Sequence, residues 1–203
     1  FPIDFLGQGE YGTVFLILYK GVKMALKVSF PDYSYQDMVE YAKRWENECK
    51  FATKAGEAGL GPKVLRCQTC DVSDFSENSD NRGYMLQEYI SGKTLQDTKL
   101  TKELIHKALD SYEALLSIGI VHKDPHEGNV MVTEDGNIRW IDFGESSGLK
   151  GETSEDDLKM EDLMGDYMYH LNFRIGFPKN AEWVMEWLRA HPRYQQRYDY
   201  LRG

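Results

Sequence analysis

The chain up to residue 90 alternates between short apolar runs and turn signals. Strand-forming residues dominate 13–19 and 22–28, and Lys20-Gly21 separates the two runs. A two-residue break of this kind favours a hairpin connection. Two further strand patterns cover 64–72 and 84–89. The pattern therefore predicts a small antiparallel sheet.

One helical pattern interrupts these strands, between residue 35 and about residue 55. Apolar residues recur there at mixed helical spacings among charged ones, at Met38, Tyr41, Trp45 and Phe51. This spacing predicts a partly exposed amphipathic helix, which the glycines and proline of 59–62 bring to an end.

The remainder of the chain has a helical pattern. Apolar residues of 101–118 fall on one stripe after Thr101, a candidate N-cap. Two more helices are predicted at 158–171 and 181–190, with a turn at 176–178 between them. Strands followed by helices predict an α+β fold that divides into a β-rich part, 1–90, and a helical part, 91–203.

Bulk properties exclude some classes of function. A length of 203 residues suits one domain or two small lobes, and the net charge of −9 argues against a nucleic-acid partner. Apolar runs stay well below the roughly 18 residues that a membrane span requires, so we expect no span.

Three cysteines are too few for a disulfide scaffold. Cys67-x-x-Cys70 is half of a zinc site, and no second ligand pair stands at finger-like spacing. We therefore expect reduced thiols and a reducing compartment such as the cytoplasm. The chain begins Phe1-Pro2, so a secretion or targeting segment could lie outside it.

The chemistry of the chain centres on 122–129, which reads His-Lys-Asp-Pro-His-Glu-Gly-Asn, followed by Asp142-Phe-Gly. Two predicted strands, 130–132 and 138–141, flank an Asp135-Gly136 turn between these motifs. This hairpin should bring Asn129 and Asp142 to one edge. Acids and amides in this order suit phosphoryl transfer, which needs metal ligands and an aimed nucleophile.

A glycine motif, G-x-G-x-x-G, stands near the start of the chain at Gly7, Gly9 and Gly12. In a dinucleotide-binding fold this motif opens a helix, whereas here it leads into the strand pattern at 13–17. The context favours a glycine-rich hairpin lying over the phosphates of ATP.

With Val14 and with Met24-Ala25-Leu26-Lys27, these motifs resemble the protein-kinase-like superfamily. The resemblance implies a two-lobed fold with a small antiparallel β N-lobe plus one helix and a reduced helical C-lobe. It implies that Lys27 binds the α- and β-phosphates and pairs with a helix glutamate. Glu48 is the candidate for that partner and Glu46 is its rival. The nucleotide-binding positions carried over are Gly7, Gly9, Gly12, Val14, Ala25 and Lys27.

The same resemblance extends to the hinge and the catalytic loop. Segment 87–92 resembles the kinase hinge, which implies that the Glu88 carbonyl and the Ile90 amide bind adenine. It also implies that Asp124 orients the attacking hydroxyl and accepts its proton. Asn129 and Asp142 would hold Mg²⁺, with Mn²⁺ as an alternative ion.

Two features depart from regulated protein kinases. Lys123 replaces the usual arginine before Asp124, and His126 resembles the H-G-D-x-H-x-x-N loops of aminoglycoside and choline kinases. His126 either contacts the γ-phosphate or the substrate, or it stabilises the loop. Because the arginine that would bind an activation-segment phosphate is missing, we expect activity without phosphorylation. The candidate phosphorylation sites are Ser146, Ser147, Thr153 and Ser154.

We therefore expect an ATP- and Mg²⁺-dependent phosphotransferase, a minimal and monomeric protein serine/threonine kinase. Its size and layout resemble bacterial effector kinases of the HopBF type, which implies delivery into a host cytosol and a host protein substrate such as a chaperone. A small-molecule kinase is the alternative, favoured by His126 and by Gly59-Leu-Gly-Pro62. A nucleotide-binding pseudokinase is the second alternative.

Overall fold

The computed structural model describes residues 2–9, 12–30, 35–71, 81–149, 160–175 and 181–195. The chain forms two compact units. The first unit contains Phe1–Ile90 and Asp142–Glu145, and the second contains Ser91–Ile141 and Ser146–Gly203. The short segment that begins at Asp142 therefore belongs with the N-terminal part of the chain.

The first unit is built on a five-stranded antiparallel sheet. Its strands are β1 (Pro2–Gln8), β2 (Gly12–Tyr19), β3 (Val22–Ser29), β4 (Val64–Asp71) and β5 (Asn81–Glu88), in the order β1-β2-β3-β5-β4. Four of these strands confirm the prediction. The predicted glycine-rich hairpin requires a first strand, but the bounds of β1 were not predicted, because nearly all of its side chains are exposed and it therefore lacks the alternation of a half-buried strand.

The β2–β3 hairpin confirms the predicted Lys20-Gly21 connection. Tyr19 pairs with Val22, and both turn residues have positive φ angles, 51° at Lys20 and 80° at Gly21. Two such residues give the turn a backbone twist that matches the twist of the flanking strands. The hairpin therefore keeps β3 in register with β2 along its whole length.

The predicted amphipathic helix is α1 (Tyr35–Glu57), and it packs on the β4–β5 side of the sheet. Its Trp45 is buried and donates its indole N–H to the Gln68 carbonyl at 3.3 Å. A Cβ atom at Gly83 would lie 2.3 Å from the Trp45 ring, so only glycine allows this approach. Phe51 is also buried, as predicted. The side chains of Met38 and Tyr41 fall outside the described set.

A disulfide joins Cys49 on α1 to Cys67 on β4, with Cα atoms 5.8 Å apart. This corrects the expectation of reduced thiols and removes the argument for a reducing compartment. The sequence analysis grouped Cys67 with Cys70 by spacing. The actual partner stands 18 residues before Cys67 and meets it only once α1 lies against the sheet.

The second unit is built on α2 (Lys102–Ser117), α3 (Met160–Ile175) and α4 (Ala181–Ala190). All three confirm predicted helices. The Thr101 hydroxyl accepts the Leu104 N–H at 3.2 Å, as expected of an N-cap. The predicted α2 stripe is buried, at Leu104, Ile105, Ala108, Leu109, Tyr112, Leu115 and Leu116. The turn predicted at 176–178 lies outside the described residues.

Five short strands complete the second unit. A three-stranded sheet runs in the order β6 (Gly92–Thr94), β8 (Val130–Thr133), β9 (Ile138–Trp140), while β7 (Ile120–Val121) pairs with β10 (Ser147–Gly148). The β8–β9 hairpin was predicted. β6, β7 and β10 were not, because two or three residues are too few to show a period.

Trp140 at the end of β9 anchors this hairpin. It is fully buried and donates its indole N–H to the Ser111 hydroxyl of α2 at 3.0 Å. The hydrogen bond ties the end of β9 to α2. Among the helices that the structure describes, none is long and apolar enough to span a bilayer.

Candidate active site

A buried lysine lies at the centre of the polar groups of the first unit. Lys27 projects from β3, and its Nζ lies 2.5 Å from Glu48 Oε1 and 2.9 Å from Asp142 Oδ1. The Lys27 and Glu48 side chains are 9% and 5% exposed. A lysine this buried requires opposite charge, and the two carboxylates supply it.

The local charges keep this lysine protonated. Burial acts to lower the pKa of Lys27, but the negative charges of Glu48 and Asp142 outweigh it, so the pKa is raised above its ordinary value. Burial raises the pKa of Glu48, and the positive charges of Lys27 and Arg44 act against that rise. A charged ammonium is thus held at a fixed place, which suits it to bind a phosphate oxygen.

Of the two glutamates proposed as the partner of Lys27, Glu48 makes the contact. Glu48 is buried, whereas Glu46 is exposed on another side of α1. Two positions along a helix turn the side chain by more than half of a circle, so the two residues cannot share a face.

Asp142 has an unusual backbone conformation. Its φ angle is 61°, in the left-handed region, and it is one of three described non-glycine residues with positive φ. Such conformations persist where the surroundings hold them, and they are concentrated at functional sites. The next residue, Phe143, is 1% exposed.

The glycine motif forms the connection between β1 and β2. Gly7 pairs with Val14, and the Gly9 N–H donates to the Gly12 carbonyl at 2.9 Å. The two residues at 10 and 11 lie outside the described set. A Cβ atom at Gly12 would lie 2.6 Å from the Val28 carbonyl oxygen, so this glycine is required by the close approach of β3. The hairpin predicted from the motif is therefore present.

The remaining residues assigned to the nucleotide site lie in strands of the same sheet or directly after β5. Val14 lies opposite Lys27 in the β2–β3 register, and Ala25 is buried in β3. β5 ends at Glu88, whose N–H donates to the Lys63 carbonyl at 2.9 Å and whose carboxylate accepts the Lys63 N–H at 3.1 Å. These bonds anchor the start of the 88–90 segment assigned to adenine, which includes Ile90.

In the second unit, Asp124 and Asn129 are hydrogen-bonded to each other. Asn129 Nδ2 donates to the Asp124 carbonyl at 3.0 Å and to Asp124 Oδ2 at 2.9 Å. Both amide hydrogens of Asn129 are therefore used, and its Oδ1 is the atom left to act as a ligand. The Asp124 side chain is 50% exposed.

His126 stabilises the loop between these two residues. Its Nδ1 accepts the Gly128 N–H at 3.0 Å, which caps a short 3-10 turn at Glu127–Asn129. Because Nδ1 accepts, Nε2 carries the hydrogen, and it faces Asp124 Oδ2 at 3.4 Å. This geometry matches the second of the two roles predicted for His126.

His122 ties the loop to the β8–β9 hairpin within the second unit. It is fully buried, and its Nε2 lies 3.0 Å from the Ile141 carbonyl oxygen. The Ile141 N–H in turn donates to the Asn129 carbonyl at 2.9 Å. Lys123, which directly follows His122, has a φ angle of 62° and is a second motif residue in the left-handed region. The loop is thus held at both ends.

An ion pair beside the Lys27 cluster was missed by the sequence analysis. Arg44 of α1 pairs with Glu145, the residue that follows Asp142-Phe-Gly. Two signals in the sequence point to it. Arg44 stands four residues before Glu48, one helical turn away on the same face, and Glu145 directly follows the metal-ligand motif.

The oxygen donors of the two units have the chemistry that Mg²⁺ prefers. Asp142 offers a carboxylate, and the absence of a Cβ atom at Gly9 leaves room there, since that atom would lie 3.8 Å from Asp142 Oδ2. Asn129 offers the amide oxygen described above. Within its own unit, each of these oxygens has the chemistry of a magnesium ligand.

Comparison with known proteins agrees with this chemistry. The model of the protein kinase domain matches residues 2–173. The chain belongs to the protein kinase domain family. The match also fits the α+β fold, with its antiparallel sheet and few helices.

Several relatives are serine/threonine-protein kinases by name. The chain is 28% identical over 162 residues to "Putative serine/threonine-protein kinase YrzF" of Bacillus subtilis, covering 77% of this chain and 66% of that protein. It is 26% identical to serine/threonine-protein kinase pakG of Dictyostelium discoideum over 76% of this chain and 13% of that protein. It is 25% identical to serine/threonine-protein kinases drp72 of Corynebacterium efficiens, over 68% of this chain and 28% of that protein. The chain thus spans under two thirds of these relatives' lengths.

Proposed function

We propose that this chain is an ATP- and Mg²⁺-dependent protein serine/threonine kinase. The observation that carries the proposal is the buried contact of Lys27 with both Glu48 and Asp142. An ammonium held between two carboxylates is positioned to bind phosphate beside a metal ligand. Membership of the kinase family supports the same activity.

We assign the first unit to the nucleotide and the second to the acceptor. In the first unit, Gly7, Gly9 and Gly12 would cover the phosphates, and Val14 and Ala25 would contact the adenine ring. The Glu88 carbonyl and the Ile90 amide would supply its hydrogen bonds. The support is that these residues and Lys27 lie on or beside one sheet, with Gly9 close to Asp142. The assignment of 1–90 and 91–203 as the two kinase lobes is part of the same proposal.

In the second unit, Asp124 would act on the acceptor hydroxyl. Its Oδ2 binds Asn129 and faces His126, so we assign Oδ1 to the incoming hydroxyl. As the acceptor oxygen forms its bond to the γ-phosphorus, the bond from that phosphorus to ADP breaks and the hydroxyl proton passes to Asp124. Asn129 and Asp142 would hold Mg²⁺, which neutralises charge on the phosphates, and Mn²⁺ suits the same oxygens.

The activity is tested with labelled ATP, Mg²⁺ and a generic acceptor protein. We expect transfer that Asp124→Asn reduces by about a thousandfold, since general-base catalysis contributes about 10²–10⁴. Asp142→Asn should also reduce transfer strongly, because it removes the charge of a proposed metal ligand. Nucleotide binding by the Asp124 variant should persist. Purified wild-type protein that transfers nothing to protein or small-molecule acceptors with either Mg²⁺ or Mn²⁺ would contradict the kinase assignment and favour a nucleotide-binding pseudokinase.

A small-molecule kinase is the second candidate, and His126 beside Asp124 is the observation that favours it. Gly59-Leu-Gly-Pro62, the other support, follows α1 in the first unit. The two candidates separate when protein acceptors are compared with aminoglycosides, sugars and choline at equal concentration. A higher kcat/KM for a small alcohol than for the protein acceptors would make the small-molecule kinase the first candidate.

We propose the host-protein acceptor as a finer hypothesis, with the chain acting as a monomeric bacterial effector on a host protein such as a chaperone. Its support is the resemblance to effector kinases and the lysine at 123, where regulated kinases carry the arginine that binds an activation-segment phosphate. Labelled transfer in a eukaryotic lysate, compared between wild type and Asp124→Asn, would identify the labelled band. Labelling equal in both samples would contradict it.

A further inference from the structure

An ion pair ties the Asp142–Glu145 segment to α1. Arg44 and Glu48 lie one turn apart on the same face of this helix. Glu48 reaches the start of the segment through Lys27 and Asp142, while the Arg44 guanidinium pairs with the carboxylate of Glu145 at its end. α1 therefore reaches both ends of four consecutive residues.

The backbone between these two ends runs close to the same helix face. A Cβ atom at Gly144 would lie 3.4 Å from Asp142 Oδ1, 3.6 Å from Glu48 Oε2 and 3.9 Å from Arg44 Nε. Phe143 is buried beside it in the sequence. At Gly144 the segment thus comes close to the side chains of two α1 residues.

The conformation of Asp142 needs this support. Its left-handed φ of 61° is unfavourable for a residue with a Cβ atom, and surrounding contacts must hold it. Lys27 binds the Asp142 carboxylate, but that bond does not restrain the backbone after Asp142. The Arg44–Glu145 pair restrains it, because it holds the residue three positions after Asp142.

We propose that Arg44 and Glu145 are positioning residues whose ion pair holds Asp142 in place for metal binding. In kinase segments ordered by phosphorylation, an added phosphate supplies the negative charge that pairs with an arginine. Here the Glu145 carboxylate supplies that charge to Arg44. The kinetic part of this proposal rests on the proposed kinase function. It also explains why the enzyme would need no phosphate on the segment after Asp142.

A charge-exchange cycle tests the pair. The variants are Arg44→Ala, Glu145→Ala and the double exchange Arg44→Glu with Glu145→Arg, and the control is Lys43→Ala, an exposed neighbour on α1. Each alanine variant should lower kcat by about tenfold. Each should also raise the Mg²⁺ concentration that gives the half-maximal rate, while the KM for the acceptor stays unchanged. The exchange should recover most of the rate, and the control should match wild type.

Amide hydrogen exchange of residues 142–149 gives a readout that needs no turnover. The two alanine variants should exchange faster there, and the charge exchange should restore protection, without a change in the melting temperature of the protein. A double exchange that is no faster in turnover than the alanine variants, or unchanged hydrogen exchange in both alanine variants, would overturn the proposal. A wild-type protein that fails to transfer phosphate contradicts the proposed function instead, and the exchange data still decide on the pair.

Phosphorylation supplies the last arm of the test. Enzyme freed of phosphate by a phosphatase and checked by mass spectrometry should keep its rate, as should the triple variant with alanine at Ser147, Thr153 and Ser154. Thr153 and Ser154 lie outside the described residues. Ser146 is left intact because its buried hydroxyl donates to the His122 carbonyl at 3.3 Å. Loss of rate in either sample would overturn the proposal.

Discussion

The ammonium of Lys27 lies 2.5 Å from the carboxylate of Glu48, in a position almost closed to water. The two residues come from β3 and from α1, so this contact reports the position of the helix against the sheet. Any movement of α1 away from β3 would leave a buried charge without its partner, at a cost of several kcal/mol.

Replacing Glu48 with glutamine keeps the shape of the side chain and removes its charge. We expect Glu48→Gln to lower kcat/KM for ATP by about tenfold or more, because Lys27 loses one of the two carboxylates that position it. Steady-state kinetics with varied ATP would measure this. Glu46→Gln is the matched control on the same helix and should leave kcat/KM unchanged, since Glu46 is exposed. Equal losses in both variants would contradict the assignment.

The two roles open to His126 can be separated by one pair of substitutions. His126→Ala removes the acceptor for the Gly128 N–H. We expect kcat to fall by about tenfold, because the turn that carries Asn129 loses its cap. His126→Asn offers an oxygen near the place of Nδ1 and should recover most of the rate, because asparagine is a good N-cap. If asparagine is as poor as alanine in stopped-flow or steady-state assays, a direct contact of Nε2 with phosphate or substrate is favoured.

The Cys49–Cys67 disulfide predicts a redox-dependent stability. It closes a loop with a sequence separation of 18 residues, for which chain entropy gives a stabilisation of about 3 kcal/mol. The double variant Cys49→Ser with Cys67→Ser, or wild type in reductant, should lose about this much unfolding free energy in urea titrations. Cys70→Ser is the control, since Cys70 is outside the disulfide. Reductant that leaves wild-type stability unchanged would show that the bond does not form in solution.

Tyr167 predicts a loss of stability at high pH. Burial raises the pKa of its hydroxyl well above 10, and the nearby Tyr112 and Glu127 raise it further. In the unfolded chain the pKa returns to about 10, so the stability is complete below that pH and falls as the pH rises above it. The slope for one such group is about 1.4 kcal/mol per pH unit. Urea titrations between pH 8 and 11 would measure it.

Tyr167→Phe keeps the buried ring and removes the ionisable group, so it should flatten this alkaline slope. Among the described residues the Tyr167 hydroxyl has no hydrogen-bond partner, so its removal should cost little stability at neutral pH. Exposed Tyr19 serves as the control, because Tyr19→Phe should keep the wild-type slope. An unchanged slope in Tyr167→Phe would assign the alkaline loss to other groups.

Local patterns in the sequence were sufficient for most secondary structure and for the chemical groups. The Lys20-Gly21 turn, the α2 stripe and the Asp135-Gly136 hairpin each depend on residues close together in the chain, so period and turn chemistry identify them. The motif residues Lys27, Asp124, Asn129 and Asp142 were found for a related reason, since phosphoryl transfer requires particular residue types in a particular order. The exposed strand β1 carried no such period.

Long-range partners could not be found in the same way. Cys49 meets Cys67, and Arg44 meets Glu145, only after α1 has packed on the sheet and the chain has returned to the first unit at Asp142. The choice of Glu48 over Glu46 was likewise made by the face that α1 buries. These pairs depend on packing among many side chains, which no short window of sequence contains.

The sequence alone determined the family resemblance and the α+β class, and it supplied the residues that we propose to bind phosphate and metal, because these follow from residue types and their order. The tertiary structure decided which side chains meet: the disulfide, the partner of Lys27, the contact of His126 with the Gly128 N–H and the Arg44–Glu145 pair. The physical reason is that charge and thiol pairing act over a few ångströms. That distance is set by how the helix and the sheet bury their apolar faces.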